Sequence, residues 1–161
     1  MAKDDQTREV TAPFDGQVVG TVALSDEASV DAALETATRL HKAKAGPSQA
    51  ERIEILRRAG DIMRNRRGDI ARRAAQEGGK PMLDSLVEVD RAIDGMDVCI
   101  ETLRTEQGHV VPMRLNAASK NRVAFTQTFP IGPVVAVSAF NHPFNLIAHQ
   151  CAPAIAPGCP V

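Results

Sequence analysis

The sequence has no tryptophan, no tyrosine and only five phenylalanines among its 161 residues. Proteins that bind single-stranded nucleic acid stack the bases on aromatic rings, and this chain offers few of them. Its net charge of −1 also gives no electrostatic attraction toward a nucleic acid or an anionic membrane. We therefore expect neither nucleic acid nor a membrane among its partners.

Cysteine is scarce, and the common metal-binding and phosphate-binding motifs are missing. The three cysteines, Cys99, Cys151 and Cys159, are odd in number and show no CxxC spacing. No HExxH motif, Gly-x-Gly-x-x-Gly fingerprint or P-loop occurs. The N-terminal segment MAKDDQTREV lacks the apolar core of a signal peptide. We expect reduced thiols, a cytoplasmic location and no metal site.

Charge is absent from the whole segment after Arg122. All 19 basic and 20 acidic residues lie at or before that position. A segment without charge must be buried, inserted in a membrane or prone to aggregation. A membrane-spanning helix needs about 20 predominantly apolar residues, whereas polar residues and prolines interrupt residues 141–157. Burial is the interpretation that the pattern favours.

The uncharged segment predicts a strand, a polar turn and a helix. Residues 134–137 (VVAV) form a continuous apolar run typical of an inner strand of a parallel sheet, covered on both faces. Pro143 stands where a helix begins. Four residues follow it at helical spacing: Phe144, Ile147, Cys151 and Ile155. Open α/β sheets bind ligands at the carboxyl ends of their strands, where the turn Asn141-His142 lies here.

The rest of the chain is predicted to form a β-hairpin, four helices and two extended strands. Asp15-Gly16 is a favoured two-residue hairpin turn. Four signals mark the helix starts: the cap Ser25-Asp26, the capping box 48–51, a break at Gly68-Asp69, and Pro81. Extended strands are expected at 110–111 and 122–129. The second alternates in polarity, which suits a half-exposed edge strand, a flap or a subunit contact.

Asn141 is the strongest candidate for a catalytic residue in this chain. Its side-chain NH₂ can donate to an oxygen that becomes negative during a reaction, and the adjoining helix start adds its dipole and free N–H groups. An ordinary N-cap asparagine that satisfies the helix start explains the same position. The local pattern alone leaves both interpretations open.

Several spaced motifs resemble the aldehyde dehydrogenase superfamily. The segment 130–135 (PIGPVV) leads into Phe140-Asn141-His142-Pro143, which is similar to the family's aromatic–Asn–x–Pro turn. An apolar helix and the run 153–160 (PAIAPGCP) follow, as they do in the family. Upstream, 77–81 (EGGKP) and 88–92 (EVDRA) resemble the family's E-x-G-K-P and E-V-x-x-A helix pair, and 13–16 (PFDG) resembles its N-terminal turn. The resemblance covers nearly the whole chain.

This resemblance implies oxidation of a small-molecule aldehyde to a carboxylic acid with NAD or NADP as cofactor, through a cysteine thiohemiacetal. Asn141 matches the asparagine that donates to the thiohemiacetal oxygen, and Ser138, Ala139 and Phe140 match positions on the nicotinamide side of the cofactor site. Neither Cys151 nor Cys159 matches the family's nucleophile. The resemblance also implies a homo-oligomer assembled through the flap.

The implied fold class is α/β, namely the N-terminal part of the aldehyde dehydrogenase fold. Residues 1–108 would be the hairpin and helices of the cofactor-binding domain. Residues 109–130 would be extended flap strands of the oligomerisation type, and 131–161 the first strand, turn and helix of a Rossmann-like NAD(P)-binding sheet.

Two departures from the family pattern are evident. Phe140 replaces the commoner tryptophan, and His142 replaces the commoner aromatic or aliphatic residue. Family members are about three times as long as this chain, beyond the usual size of one domain. We therefore expect an N-terminal portion of a longer enzyme. The alternatives are an inactive truncated homologue and a helical interaction module, in which residues 48–106 present a charged surface and the apolar tail docks to a partner.

Overall fold

The computed structural model describes residues 7–106 and 108–161. Their elements, in chain order, are β1 (Thr7–Thr11), β2 (Val18–Ala23), α1 (Glu27–Ala43), α2 (Gln49–Asn65), α3 (Arg67–Gly78), α4 (Met82–Thr105), β3 (Val110–Val111), a 3₁₀ turn (Ala117–Ser119), β4 (Ala124–Phe125) and α5 (Pro143–Ile155). The strands form two separate antiparallel pairs, β1 with β2 and β3 with β4. None of these helices is long and apolar enough to cross a membrane in the described residues.

The N-terminal hairpin forms as predicted, but its loop is longer than two residues. The Ala12 N–H donates to the Gln17 carbonyl at 2.8 Å, so residues 13–16 lie in the loop. Pro13 supplies a fixed φ at the first corner, and Gly16 adopts a φ of +73° at the last. The Asp15 carboxylate accepts from the Gln17 N–H at 3.0 Å, which makes Asp15 a side-chain brace of the turn.

The predicted helix boundaries follow from local caps. The Asp26 carboxylate accepts from the Ser29 N–H at 2.8 Å, and Ser48 forms the complete capping box with Glu51. Gly79 ends α3 with a φ of +64°, a left-handed conformation that costs glycine little. The break between α2 and α3 lies at Arg66 and not at Gly68, because Gly68 fits within the first turn of α3.

Helix α4 is the centre of the fold, and α2, α3 and α5 pack around it. Its buried face meets Leu56 of α2, Ala71 of α3 and two alanines of α5, Ala148 and Ala152. Small side chains on α5 allow the two helices to approach closely. The helix predicted from the spacing of Phe144, Ile147, Cys151 and Ile155 is present, and all four of these residues are half-buried.

The two short strands β3 and β4 lie within the predicted extended segments. Val110 pairs with Phe125 and Val111 with Ala124. Phe125 is 71% exposed and Val123 83% exposed, so these side chains face solvent in this chain. Strand β4 is shorter than the predicted segment 122–129, and the function of this flap as a subunit contact remains a prediction.

Gly108 makes this pairing possible, and its replacement by alanine is expected to disrupt it. A Cβ at position 108 would lie 2.0 Å from the Thr126 carbonyl oxygen, and the backbone φ is +82°. The left-handed conformation alone costs a non-glycine residue about 1–2 kcal/mol. Hydrogen exchange should show loss of protection at the Thr126 amide, which donates to the His109 carbonyl at 2.8 Å. Gly46→Ala is the control, because a Cβ there meets open space; equal protection in the two variants would refute the prediction.

The segment predicted as a buried parallel strand is extended but is not a strand in this structure. Val135 is 71% and Val137 78% exposed, whereas Val134 and Ala136 are half-buried. Among described residues, this run makes one backbone hydrogen bond, from the Val134 N–H to the Pro160 carbonyl at 2.8 Å. A strand exists only through neighbours on its edges, and no described segment lies in register beside this one. The expectation of burial on both faces was therefore wrong for this chain.

Candidate active-site turn

The polar turn predicted between strand and helix lies at the N-terminus of α5. Pro143 is the first residue of the helix, where its missing N–H is harmless and its fixed φ suits the helical backbone. Asn141 is exposed and His142 half-buried just before it. No side chain of the turn caps the helix, so Asn141 is not an N-cap here. The interpretation of Asn141 as an ordinary N-cap residue therefore does not apply.

The three residues predicted to face the cofactor precede Asn141 directly and form one exposed surface with it. Ser138, Ala139 and Phe140 are exposed, and Phe140 reaches 90%. The Ser138 hydroxyl donates to the Pro143 carbonyl at 3.0 Å, which ties the segment to the first turn of α5. The Gln150 amide donates to the Val137 carbonyl at 3.0 Å. Two hydrogen bonds to residues of α5 therefore hold the segment that precedes Asn141.

Glu88 of α4 caps α5 from across the core. Its Oε1 accepts from the Phe144 N–H at 2.7 Å and from the Asn145 N–H at 3.0 Å. These are unpaired donors of the first helical turn, and a carboxylate at this place also complements the helix dipole. Glu88 itself is 1% exposed. Residues 88–92 resemble a family motif, but the role of Glu88 as a cap was missed from the sequence. A further signal was that the carboxylate falls on the stripe of α4 that also carries Ser85, Val89 and Ala92.

Lys80 completes this cluster. Its ammonium binds the other oxygen of Glu88, lies 3.1 Å from Nδ1 of His142 and donates to the Asn141 carbonyl at 3.4 Å. The lysine side chain is only 13% exposed and that of Glu88 is fully buried. Lys80 has donors only, so this contact is a hydrogen bond when Nδ1 of His142 carries no proton. One buried ion pair thus contacts both ends of the turn, Asn141 and the start of α5.

The environment of Glu88 keeps it ionised. Burial acts to raise the pKa of Glu88, but the hydrogen bonds from Lys80, Asn145 N–H and Phe144 N–H outweigh it and hold the pKa below the ordinary 4.5. The carboxylate is therefore negatively charged at neutral pH. A charged, hydrogen-bonded cap is stronger than a neutral one.

This lowered pKa predicts a pH dependence of stability. A group whose pKa is lower in the folded state stabilises that state above its unfolded pKa, and the contribution disappears as the pH falls through the folded-state pKa. We expect the stability advantage of the wild type over Glu88→Gln to be greatest near neutral pH and to shrink below about pH 4.5. Urea unfolding midpoints of the two proteins across this range measure it. An advantage that does not change with pH would contradict it.

None of the three cysteines belongs to residues 138–142. Cys99 and Cys159 are buried, and burial raises the pKa of the Cys99 thiol, which disfavours the thiolate. Cys151 is half-buried on α5, about 12 Å along the axis from Pro143. That neither Cys151 nor Cys159 is the nucleophile stays a prediction.

Asn145 is a second polar residue that sequence analysis did not single out. It is 7% exposed, and its Oδ1 has no hydrogen-bond partner among the described residues. A groove of about 770 Å³ runs beside α5, between Met63, Ile70, Phe144 and Ile147, but none of residues 138–142 lines it. Among the described residues, no group of His, Cys, Asp and Glu has the arrangement of a metal site.

Sequence comparison identifies relatives of this chain. The profile of the aldehyde dehydrogenase family matches residues 1–161. The 3-sulfolactaldehyde dehydrogenase of Priestia megaterium is 33% identical over 150 residues, which cover 93% of this chain and 31% of that protein. The chain spans about a third of the length of the curated relatives it matches.

Structure comparison agrees and confirms the predicted fold class. The crystal structure of aldehyde dehydrogenase 21 from Physcomitrella patens, in complex with the reaction product succinate, matches with a TM-score of 0.91 and 34% identity. The match covers 99% of this chain and 33% of that chain. A glyceraldehyde-3-phosphate dehydrogenase from Methanocaldococcus jannaschii, complexed with NADP, matches with a TM-score of 0.86 and 27% identity over 98% of this chain and 33% of that one. This chain belongs to the aldehyde dehydrogenase family.

Proposed function

We propose that this chain supplies two parts of an enzyme that oxidises an aldehyde to a carboxylic acid with NAD or NADP. These parts are the amide that donates a hydrogen bond to the substrate oxygen, and a portion of the nicotinamide-binding surface. The placement of Asn141 carries the proposal. Its side chain is not used as a helix cap, is exposed, and stands two residues before Pro143, the first residue of the helix. Family membership supports the same chemistry.

The proposed reaction gives Asn141 one defined task. A thiolate adds to the aldehyde carbon, a carbon–sulfur bond forms, and the carbonyl electron pair moves onto oxygen. The Asn141 NH₂ donates to that oxygen while it is negative. Departure of hydride from the same carbon restores the carbonyl as a thioester, which water then hydrolyses to the acid and the free thiol. Asn141 acts by stabilising charge and exchanges no proton or electron.

The segment before Asn141 fits one face of a nicotinamide. NAD or NADP, when bound, supplies the acceptor of the hydride. The surface formed by Ser138, Ala139 and Phe140 is uncharged and exposed, with an aromatic ring available for contact with a flat heterocycle. The Ser138 hydroxyl is engaged with the Pro143 carbonyl, so it shapes the segment and leaves ligand contact to its neighbours.

The nucleophile is not among the cysteines of this chain. Cys99 and Cys159 are buried, and Cys151 lies on α5 well past the turn. We therefore assign this chain the hydrogen-bond donor to the substrate oxygen and part of the nicotinamide-binding surface, and no part in covalent bonding to the substrate.

An assay of nicotinamide reduction tests the proposal. The protein, expressed from its complete natural gene, is incubated with a panel of aliphatic, aromatic and acidic aldehydes and with NAD⁺ or NADP⁺ in turn. We expect aldehyde-dependent absorbance of the reduced nicotinamide with at least one pair, and the carboxylic acid as product. Absence of aldehyde-dependent reduction with either cofactor across the panel would overturn the proposal.

We also propose that the flap mediates assembly into a homo-oligomer. Val123, Phe125 and Phe129 are 83%, 71% and 72% exposed on the segment that carries β4. Apolar side chains exposed in a row on a strand are typical of an interface. Phe125→Asp is expected to lower the molar mass measured by light scattering, whereas Asp84→Asn on α4 is expected to leave it unchanged. An unchanged mass for Phe125→Asp would count against the flap as the interface.

A further inference from the structure

We infer that Lys80 and Glu88 are positioning residues for the reaction, because their buried ion pair fixes the place of Asn141. The inference rests on the proposed function, since it concerns the amide that the proposed reaction uses. Neither residue is placed to touch the substrate: Glu88 is fully buried, and the Lys80 ammonium is directed to Glu88, His142 and the Asn141 carbonyl.

The position of the Asn141 amide depends on its backbone. No hydrogen bond joins its side chain to another described residue, so neighbouring side chains do not orient it. The backbone is held at two points instead. Lys80 donates to the Asn141 carbonyl at 3.4 Å, and Glu88 holds the Phe144 and Asn145 N–H groups at 2.7 and 3.0 Å. Preorganised donors stabilise a transition state only when they are held in place beforehand.

The two contacts are mechanically linked. One oxygen of Glu88 accepts from the start of α5, and the other binds Lys80, which contacts Asn141. The turn and the first residues of α5 are therefore both attached to the same carboxylate of α4. Neutralising Glu88 would weaken its bonds to the N–H groups and release the ammonium that holds Asn141. A small shift of this kind is costly, because a misplacement of about 1 Å at a reacting group lowers a rate by up to about 10²-fold.

The chain provides a matched control on the same helix. Asp90, two residues after Glu88, pairs with Arg67 of α3, with the guanidinium NH₂ group 2.7 Å from Oδ2. This pair is about half exposed, and among the described residues neither partner has a side-chain hydrogen bond or ion pair to α5 or the turn. Asp90→Asn therefore makes the same chemical change as Glu88→Gln, an acid to its amide, without touching the Asn141 backbone.

A double-mutant cycle on the protein expressed from its complete natural gene tests the inference. We expect Asn141→Ala to lower kcat by about 10²–10³-fold and Glu88→Gln by about tenfold with KM changed less than about twofold. Because Glu88 acts through Asn141, the double variant should be no slower than Asn141→Ala alone. Asp90→Asn should keep the wild-type kcat. Rates that multiply in the double variant, or an unchanged kcat in Glu88→Gln, would overturn the inference.

Hydrogen exchange distinguishes failure of the positioning inference from failure of the proposed function. Glu88→Gln should speed exchange of the Phe144 and Asn145 amides, and Asp90→Asn should not. If Asn141→Ala retains the wild-type rate, the proposed function fails and catalytic positioning falls with it, whatever the amides show. If Asn141→Ala is slow but Glu88→Gln neither speeds exchange nor slows the reaction, only the positioning inference is overturned.

Discussion

Replacing Asn141 by alanine should lower kcat for aldehyde oxidation by about 10²–10³-fold, with little change in KM. The amide is proposed to bind an oxygen that carries full charge only during the reaction, so its loss weakens transition-state binding more than substrate binding. Stability should change little, because the side chain is exposed and makes no hydrogen bond to another described residue. Steady-state rates at saturating cofactor measure the effect.

Asn65→Ala is the control for this substitution. Asn65 is exposed at the end of α2, on an element remote in sequence from the turn, and its loss should leave kcat unchanged. The expectation for Asn141 is contradicted if both variants behave alike, or if Asn141→Ala raises KM while kcat stays at the wild-type value. The latter result would assign Asn141 to ground-state binding.

Replacing Glu88 by alanine is expected to lower the free energy of unfolding by about 3–5 kcal/mol. The substitution leaves the buried ammonium of Lys80 without its partner and two N–H groups of α5 without an acceptor. An uncompensated buried charge is far more costly than the loss of an exposed ion pair. Urea unfolding of the wild type and of Glu88→Ala measures the difference, provided that the unfolding free energy depends equally on urea concentration in both.

Asp90→Ala provides the comparison on the same helix. Its partner Arg67 is 42% exposed and remains hydrated when the carboxylate is removed, so a loss of at most about 1 kcal/mol is expected. Comparable losses in the two variants would mean that the Lys80–Glu88 pair contributes no more than a surface pair. A replacement of Lys80 and Glu88 together by methionine should cost less than Glu88→Ala, because no buried charge remains unpaired.

What the sequence predicted well was encoded locally. Asp26 and Ser48 cap helices whose first N–H groups lie three residues away, and Gly79 ends α3 through its own backbone freedom. Each of these signals can be recognised without knowing the rest of the fold. The turn at Asn141 belongs to the same class, since Pro143 marks the helix start directly after it.

What the sequence did not predict depends on partners distant along the chain. Residues 134–137 have the composition of an inner strand, but an apolar run becomes a buried strand only when other strands lie beside it. Residues 88–92 resemble a family motif, but nothing local in the sequence indicates that Glu88 caps a helix that begins 55 residues later. Composition reports how apolar a segment is, and does not report what covers it.

The placement of this cap constrains the order in which the chain assembles. Helix α5 has Pro143 at its first position but no side-chain cap from its own turn, and its first N–H groups are satisfied by a carboxylate 56 residues upstream of Phe144. Nucleation within residues 143–155 alone is therefore unfavourable, and the loop between the two segments must close before the helix gains its full stability. Folding should proceed from α4 outward, so that the segment bearing Asn141 is among the last to become ordered.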